Sequence, residues 1–294
     1  MTEVRSYYGR PIIKEPVWKP EVPWYLFSGG LAGASAGLAF AARLAGNRRL
    51  ERTAQLLAFA GVSAGPPLLI ADLGRPRRFL NMLRVFKVTS PMSVGSWVLA
   101  SSGTAIGAAT TLDALGILPR LQAAAQAASA ALGMPLSTYT GALLADTSVP
   151  VWHEARRHLP LLFAASSAAS AGAAASILTP PEDAGPARRL AVVGGAAELL
   201  ATQAMEKRLG TFLAEPYHEG QAGAFAKTAK MLTATGTATM TLFGRRRAGA
   251  IAGGTLLLAG AIYERFAVFK AGFASARNPK YTVVPQRARR NGPP

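Results

Sequence analysis

Long runs of Ala, Gly, Leu, Ser and Val, almost free of charge, alternate along the chain with short blocks of Arg and Lys. About 20 apolar residues let a helix cross a hydrocarbon core ~30 Å thick. Eight runs reach that length, at about 24–44, 53–72, 91–112, 121–149, 159–178, 188–206, 225–243 and 248–269. A helix of a soluble bundle needs a polar stripe recurring every 3.6 residues, and Phe27 to Ala42 shows none. The seventh run is the most dilute, with Thr and Gly between Thr233 and Thr241. It is acceptable because membrane helices pack through small residues and their hydroxyls bond back to the helix. The fourth run is longer than a membrane needs and is interrupted by Gly133-Met134-Pro135. A bent or broken helix is expected there, its freed backbone groups satisfied within protein. The expected fold is an all-α membrane protein of eight transmembrane helices, arranged as two four-helix bundles.

The flanks complete the organisation. Residues 1–23 are polar and carry Pro11, Pro16, Pro20 and Pro23, which predicts an extended arm that docks a soluble partner. A signal peptide is not expected, since no basic start leads directly into an apolar run with a small-residue cleavage site. Residues 24–272 form the membrane domain, and 273–294 a basic, Pro-containing tail. Eight crossings put both termini on one side. That side collects 22 of the Lys and Arg and the opposite side 10. The excess of positive charge favours cytoplasmic termini, and a cationic face also suits an acidic partner.

Composition narrows the chemistry. Of 294 residues, 50% are hydrophobic and only 16% charged, against about 25% charged in soluble domains. The net charge of +17 would suit nucleic acid, but its gathering into blocks at the ends of apolar runs makes it a membrane-flank and docking signal. With no Cys the chain has no disulfide scaffold, thiolate metal site or iron–sulfur cluster of its own. The three His residues, His153, His158 and His218, fall in loops. Facing helices therefore lack the axial ligands of a membrane haem. No metal site is expected.

Charged groups within lipid are costly and ask for a reason. The acids in or at the ends of the runs are Asp72, Asp113, Asp146, Glu198 and Glu264. The second, fourth, sixth and eighth helices run toward the cationic side, so Asp72, Asp146 and Glu264, with Tyr139 two turns before Asp146, converge there. Glu198 lies nearer mid-membrane. The plain alternative is pairing at the interface, Asp72 with Arg75 and Glu264 with Arg265 or Lys270. For Glu198 it is a protonated carboxyl bonded to a neighbouring helix. Asp72-Leu73-Gly74-Arg75-Pro76 closes the second helix, because Gly adopts the left-handed stop and Pro cannot continue a helix. The Ser residues around Ser166, Ser167 and Ser170, and the Gly29-Gly30-Leu31-Ala32-Gly33 segment, read as close helix packing rather than as a nucleophile or a phosphate loop.

The segments Trp18 to Pro23, Tyr25-Leu26-Phe27-Ser28-Gly29-Gly30-Leu31-Ala32-Gly33, Asp72-Leu73-Gly74-Arg75-Pro76 with Arg78-Phe79, Ser90-Pro91-Met92-Ser93-Val94-Gly95-Ser96-Trp97, Tyr139-Thr140-Gly141 with Pro150-Val151-Trp152, and Asn278-Pro279-Lys280-Tyr281 resemble the NrfD-type membrane subunits, as in polysulfide reductase. The resemblance spans essentially the whole chain, and the Asp-Leu-Gly-Arg-Pro and Ser-Pro-Met-Ser blocks are its most specific parts. It implies a quinone-reactive subunit in the inner membrane of a bacterial cell, without haem or clusters of its own. Its partners would be a ferredoxin-like iron–sulfur subunit and a molybdopterin-type catalytic subunit. Menaquinone or ubiquinone would bind at the end of the first four helices, facing the cluster subunit.

Asp72 and Tyr139 match the family's quinone-pocket positions, with Arg75 holding Asp72 or balancing negative charge on the ring. Trp24, Tyr25, Ser28, Gly74 and Met92 are the expected contacts of the ring. Asp146, Glu198 and Glu264 are the candidates for proton movement. The chain departs from some members in having no His in its first helix. Two rival readings remain open in the sequence: an anchor without quinone chemistry, and a secondary transporter, though no internal repeat supports the latter.

Overall fold

The computed structural model describes residues 11–73, 75, 79 and 81–291, with side chains not described at 288–291. Gly74, Pro76 and Arg78 of the second-helix motif and the first ten residues of the arm lie outside the described residues. Among those described, secondary structure is wholly helical: α1 (Glu21–Leu44), α2 (Arg48–Leu73), α3 (Pro91–Leu115), α4 (Pro119–Ala145), the short α5 (Pro150–Glu154), α6 (Leu159–Leu178), α7 (Gly185–Ala214), a 3-10 turn at Glu215–Tyr217, α8 (Gly220–Phe243), α9 (Arg247–Arg277) and α10 (Lys280–Asn291). Each apolar run of the sequence has become one long helix.

The boundaries follow local chemistry. Pro91, Pro119 and Pro150 open their helices, where a missing N–H costs nothing and a fixed φ helps. Ser90 caps α3 by accepting the Ser93 N–H at 3.4 Å. Gly116 closes α3 in the left-handed conformation, φ +65°. Two expectations are revised. Helix α1 begins at Glu21 rather than at residue 24, since Pro23 is tolerated within a first turn. Helix α4 runs unbroken through Pro135 and ends at Ala145. The basic tail is not all irregular: α9 continues to Arg277, and α10 docks by burying Tyr281. There Lys280 Nζ and Tyr281 OH both reach Glu215, at 2.8 and 3.0 Å. The Lys280 hydrogen bond holds the Glu215 carboxyl below the usual carboxylate range. The tie is therefore intact at neutral pH and is lost only as acidification carries the pH below that range.

Helix α1 packs along α2 and α4, α3 along α4, α6 along α7 and α9, and α8 along α9, while α1 and α4 meet α6 at a central seam. The contact surfaces are made of small residues. A Cβ on Gly33 would collide with the Gly133 carbonyl, and one on Gly133 with the Gly33 carbonyl. This crossing of α1 and α4, rather than a break, accounts for Gly133. Small side chains allow such backbone approach in a membrane, where burying larger apolar groups gains nothing over lipid. The hydroxyls of the buried Ser167, Ser170 and Ser176 are spent on carbonyls one turn back, at 2.6–2.8 Å.

Large apolar side chains point outward instead. Met134, Leu161, Val193, Leu200, Met231 and Leu242 are each more than 60% exposed. An apolar surface of this extent is a surface for lipid. The helices α1, α2, α6 and α9 are long and apolar enough to cross a membrane by length and composition. The equally long α3, α4, α7 and α8 are diluted by Ser, Thr, Gln or charge. The chain is a multi-pass membrane protein.

At the end of α1 remote from the N-terminus, Arg43 Nη1 donates to Glu51 Oε1 at 3.2 Å and to Gln126 Oε1 at 3.0 Å. Gln55 Nε2 reaches Thr110 Oγ1 at 2.9 Å. These buried groups tie α1–α4 together at the rim opposite the termini. The α1–α4 crossing has a direct check. Gly133→Val should cost about 1–3 kcal/mol by overpacking, measured as a lower melting temperature of the chain in detergent, whereas Met134→Val on the outer face of the same helix should leave it within error.

Candidate functional site

Helices α1 and α3 start, and α2 and α4 end, at the rim that carries the N-terminal arm. Their ends leave a narrow cavity of about 80 Å³, walled by Trp18, Val22, Tyr25, Leu26, Leu69, Asp72, Leu73, Met82, Met92, Gly95, Ser96, Tyr139, Leu143 and Leu144. Its walls are apolar except for Asp72, Ser96 and the phenols of Tyr25 and Tyr139. Chain reversal between antiparallel helices is what brings Asp72, from the last turn of α2, level with Met92 in the first turn of α3 and with Tyr139 near the end of α4.

The polar groups are set unequally. Ser96 Oγ donates to the Met92 carbonyl at 2.8 Å and so has spent its proton. Asp72 Oδ1 accepts the backbone N–H of Lys19 at 2.9 Å, while Lys19 Nζ reaches the Ala71 carbonyl at 3.1 Å. The arm thus closes over the end of α2. It is held further by Trp18 stacked on the buried Trp152, ring centroids 5.6 Å apart. The Tyr139 hydroxyl oxygen is buried and has no hydrogen-bond partner among the described residues. Such a group costs free energy unless something else satisfies it. Gly95 explains how the ring fits: any Cβ there would overlap the Tyr139 ring edge.

Of the ring contacts expected from the sequence, Tyr25 and Met92 line this cavity with Asp72 and Tyr139. Trp24 points elsewhere, edge-on to Phe266 of α9 at 5.8 Å. Ser28 is buried one turn along α1, its hydroxyl bonded to the Tyr25 carbonyl at 3.2 Å. Arg75 is exposed, and Gly74 lies outside the described residues. Trp18, Lys19, Leu69, Met82 and Gly95 belong to the site without having been singled out. The Ser-Pro-Met-Ser-Val-Gly block held a signal for Gly95, but the packing of arm on helix has no local pattern.

The remaining acids separate. Asp146 caps α4 at an exposed position. Glu198 of α7 and Glu264 of α9 are both buried and wall a second cavity of about 20 Å³ together with Tyr217, Glu206 and Lys230. That is room for about one water. Arg265 is paired with Glu264, donates from Nη2 to the Phe163 carbonyl at 3.1 Å and lies 3.8 Å over the Phe163 ring. Thr233 Oγ1 donates to Glu198 Oε1 at 3.0 Å. Glu198 Oε2, Glu264 Oε1 and the Tyr217 hydroxyl have no hydrogen-bond partner among the described residues. Tyr217, in the loop outside the helices, has its phenol pushed up by burial. Lys230 closes the outer end on Glu206 at 2.6 Å. The convergence of Glu264 with Asp72 expected from helix direction does not occur, because α9 packs with α6 and α8 on the other side of the central seam. No cluster of three or more His, Asp or Glu suited to a metal ion occurs among the described residues.

The family model for polysulphide reductase, NrfD, matches residues 13–181. That stretch holds the whole first cavity and ends before the Glu198–Glu264 cluster. No curated protein matches the chain.

Truncating Arg265 tests the buried pair. Arg265→Met leaves the Glu264 carboxylate uncompensated and should destabilise the chain by about 3–5 kcal/mol, whereas Arg265→Met with Glu264→Gln should recover most of that loss. Thermal unfolding in detergent reads both.

Proposed function

On the premise that the chain belongs to the NrfD (polysulphide reductase) family, we propose that it is the quinone-reactive membrane subunit of a multi-subunit respiratory oxidoreductase. One observation carries this reading. At a rim crowded with Lys and Arg, an apolar cavity presents a buried phenol without a partner beside a carboxylate. A quinone is a flat, neutral, apolar ring with two carbonyl acceptors, and those are the complements of such walls and such a donor. When bound, it supplies two-electron chemistry coupled to the uptake of two protons.

The roles of this chain's own residues follow. Tyr139 donates its hydroxyl proton to a carbonyl oxygen and fixes the ring's position. Asp72, at the mouth of the cavity, holds and passes protons between the ring and the aqueous rim. Leu69, Met92, Leu143 and Leu144 exclude water, and Trp18 with Lys19 closes the top. Electrons arrive from, or leave to, an iron–sulfur partner seated over the same rim. Such a partner, of ferredoxin-like type and joined to a molybdopterin-type catalytic subunit, places a cluster near the cavity that this Cys-free chain cannot hold itself. Electron exchange with menaquinone or ubiquinone is then the chain's activity.

The same reading takes all eight long helices as membrane crossings, in two sets of four, α1–α4 and α6–α9. Small residues in α3, α4, α7 and α8 lower their hydropathy without removing their lipid-facing apolar side chains. Both termini then share the cationic side, which the distribution of Lys and Arg assigns to the cytoplasm of a bacterial cell. Glu198 and Glu264 form a proton-handling site in the second set, with Asp146 at the rim.

In the assembled complex in vesicles, Asp72→Asn should slow quinone-linked turnover by roughly 10²-fold or more, the scale of lost general acid–base help, while quinone still binds. Tyr139→Phe should weaken quinone binding about fivefold, near 1 kcal/mol for one hydrogen bond. Wild-type turnover and binding in both variants would remove the cavity from the mechanism.

A further inference from the structure

A larger hollow lies beside the narrow cavity. Helices α2 and α3, like α7 and α8, touch along much less of their length than α1 and α2, α3 and α4, α6 and α7 or α8 and α9. Between them runs a trench of about 450 Å³, whose walls include Phe59, Val62, Pro66, Leu69, Met82 and Gly103. Three of its wall residues, Leu69, Met82 and Ser96, also wall the Asp72–Tyr139 cavity. The two hollows are therefore adjacent, with these side chains between them. From Leu69 back to Phe59 the trench runs along α2 for about 15 Å at helical rise. It leads from the rim toward mid-membrane along a lipid-facing side on which Phe59 is 42% exposed.

The trench is apolar by construction. Its hydroxyls are Ser63, Ser96 and Thr104, of which Thr104 and Ser96 are bonded to their own helix, at 2.9 and 2.8 Å. Pro66 and Pro67 have no N–H to give to the preceding turn of α2. The proline pair thus loosens the helix where it borders the opening. Gly103 leaves space: a Cβ there would meet only Val62 Cγ2, at an ordinary 3.5 Å. Among the described residues no Lys or Arg lines the trench.

We propose that the trench between α2 and α3 seats the isoprenoid tail of the quinone and is the lateral gate by which the ring passes from bilayer to cavity, with Met82 at the junction. This rests on the quinone reading of the Asp72–Tyr139 cavity and adds which helices the ligand passes between. The walls shared with that cavity favour a tail attached to a ring over a free phospholipid acyl chain.

The test uses the full-length chain in lipid nanodiscs and reads binding, not turnover. Affinities are measured for two naphthoquinones, one prenylated and one without a tail, on wild type, Gly103→Phe and Ala100→Leu. The filled trench should weaken the prenylated ligand about tenfold, on the scale of losing burial for a few methylene groups, and leave the tail-less one within about twofold. Equal loss for both, or no loss for the prenylated one, overturns the proposal. Tyr139→Phe separates the premise, since it should weaken both ligands alike. If it weakens neither while both bind, the cavity reading fails, not the trench alone. Should the filling variants fold poorly, photolabelling of wild type decides. A quinone with a diazirine in its first isoprene units should mark Phe59, Met82 or Thr104. Labelling elsewhere, or equal labelling of the trench by a diazirine-bearing phosphatidylcholine, overturns it.

Discussion

Lipid is as apolar as leucine, and that single fact shapes this molecule. Helices in such a solvent gain little from burying large side chains against one another, so they associate through close backbone contact. The crossing at Gly33 and Gly133 is its plainest expression. Leucine, valine and methionine are sent outward, and serine and glycine come in. Several buried hydroxyls are satisfied locally, as by the bonds of Ser167, Ser170 and Ser176 to the preceding turn. The fold is in this sense a water-soluble bundle turned inside out.

Against that background the polar interior groups are few, and each has a defined place. The Arg43–Glu51–Gln126 set and Gln55–Thr110 hold the remote ends of α1–α4 with nearly every group paired. They serve cohesion. The Asp72–Tyr139 cavity and the Glu198–Glu264 cluster each border a hollow and keep buried oxygens without hydrogen-bond partners among the described residues. Unsatisfied polar groups in a medium of low dielectric are costly, and a fold retains them where something else is to be bound or a proton is to move. The two places sit on opposite sides of the α1–α4–α6 seam, which separates the part that belongs to the family from the cluster beyond the matched residues.

Much of this was legible in the residue pattern, for a physical reason. A membrane demands uninterrupted apolar length and satisfied backbone, so eight runs of the right length became eight long helices, with ends marked by proline and glycine. The motif Asp72-Leu73-Gly74-Arg75-Pro76 and the positions of Tyr25, Met92 and Tyr139 pointed to helix ends on a common side. Antiparallel alternation carries residues at known ends to a known rim. Depth is thus readable along each helix.

Azimuth and lateral neighbours are not. Which way a side chain points around its helix, and which helix stands opposite, depend on crossings that no single run encodes. Tertiary packing turned Trp24 toward Phe266 and buried Ser28, its hydroxyl bonded to the Tyr25 carbonyl. It laid Lys19 on Asp72 and brought Glu264 to Glu198 instead of to the first cavity. It also set α2 apart from α3. By itself the sequence determined what the chain is dissolved in, how many long helices it makes and at which end of its helix each polar residue lies, because solvent and length act on each segment separately. Which groups meet, and which neighbouring helices stand apart, were decided by the tertiary structure, because those depend on helices fitting against one another.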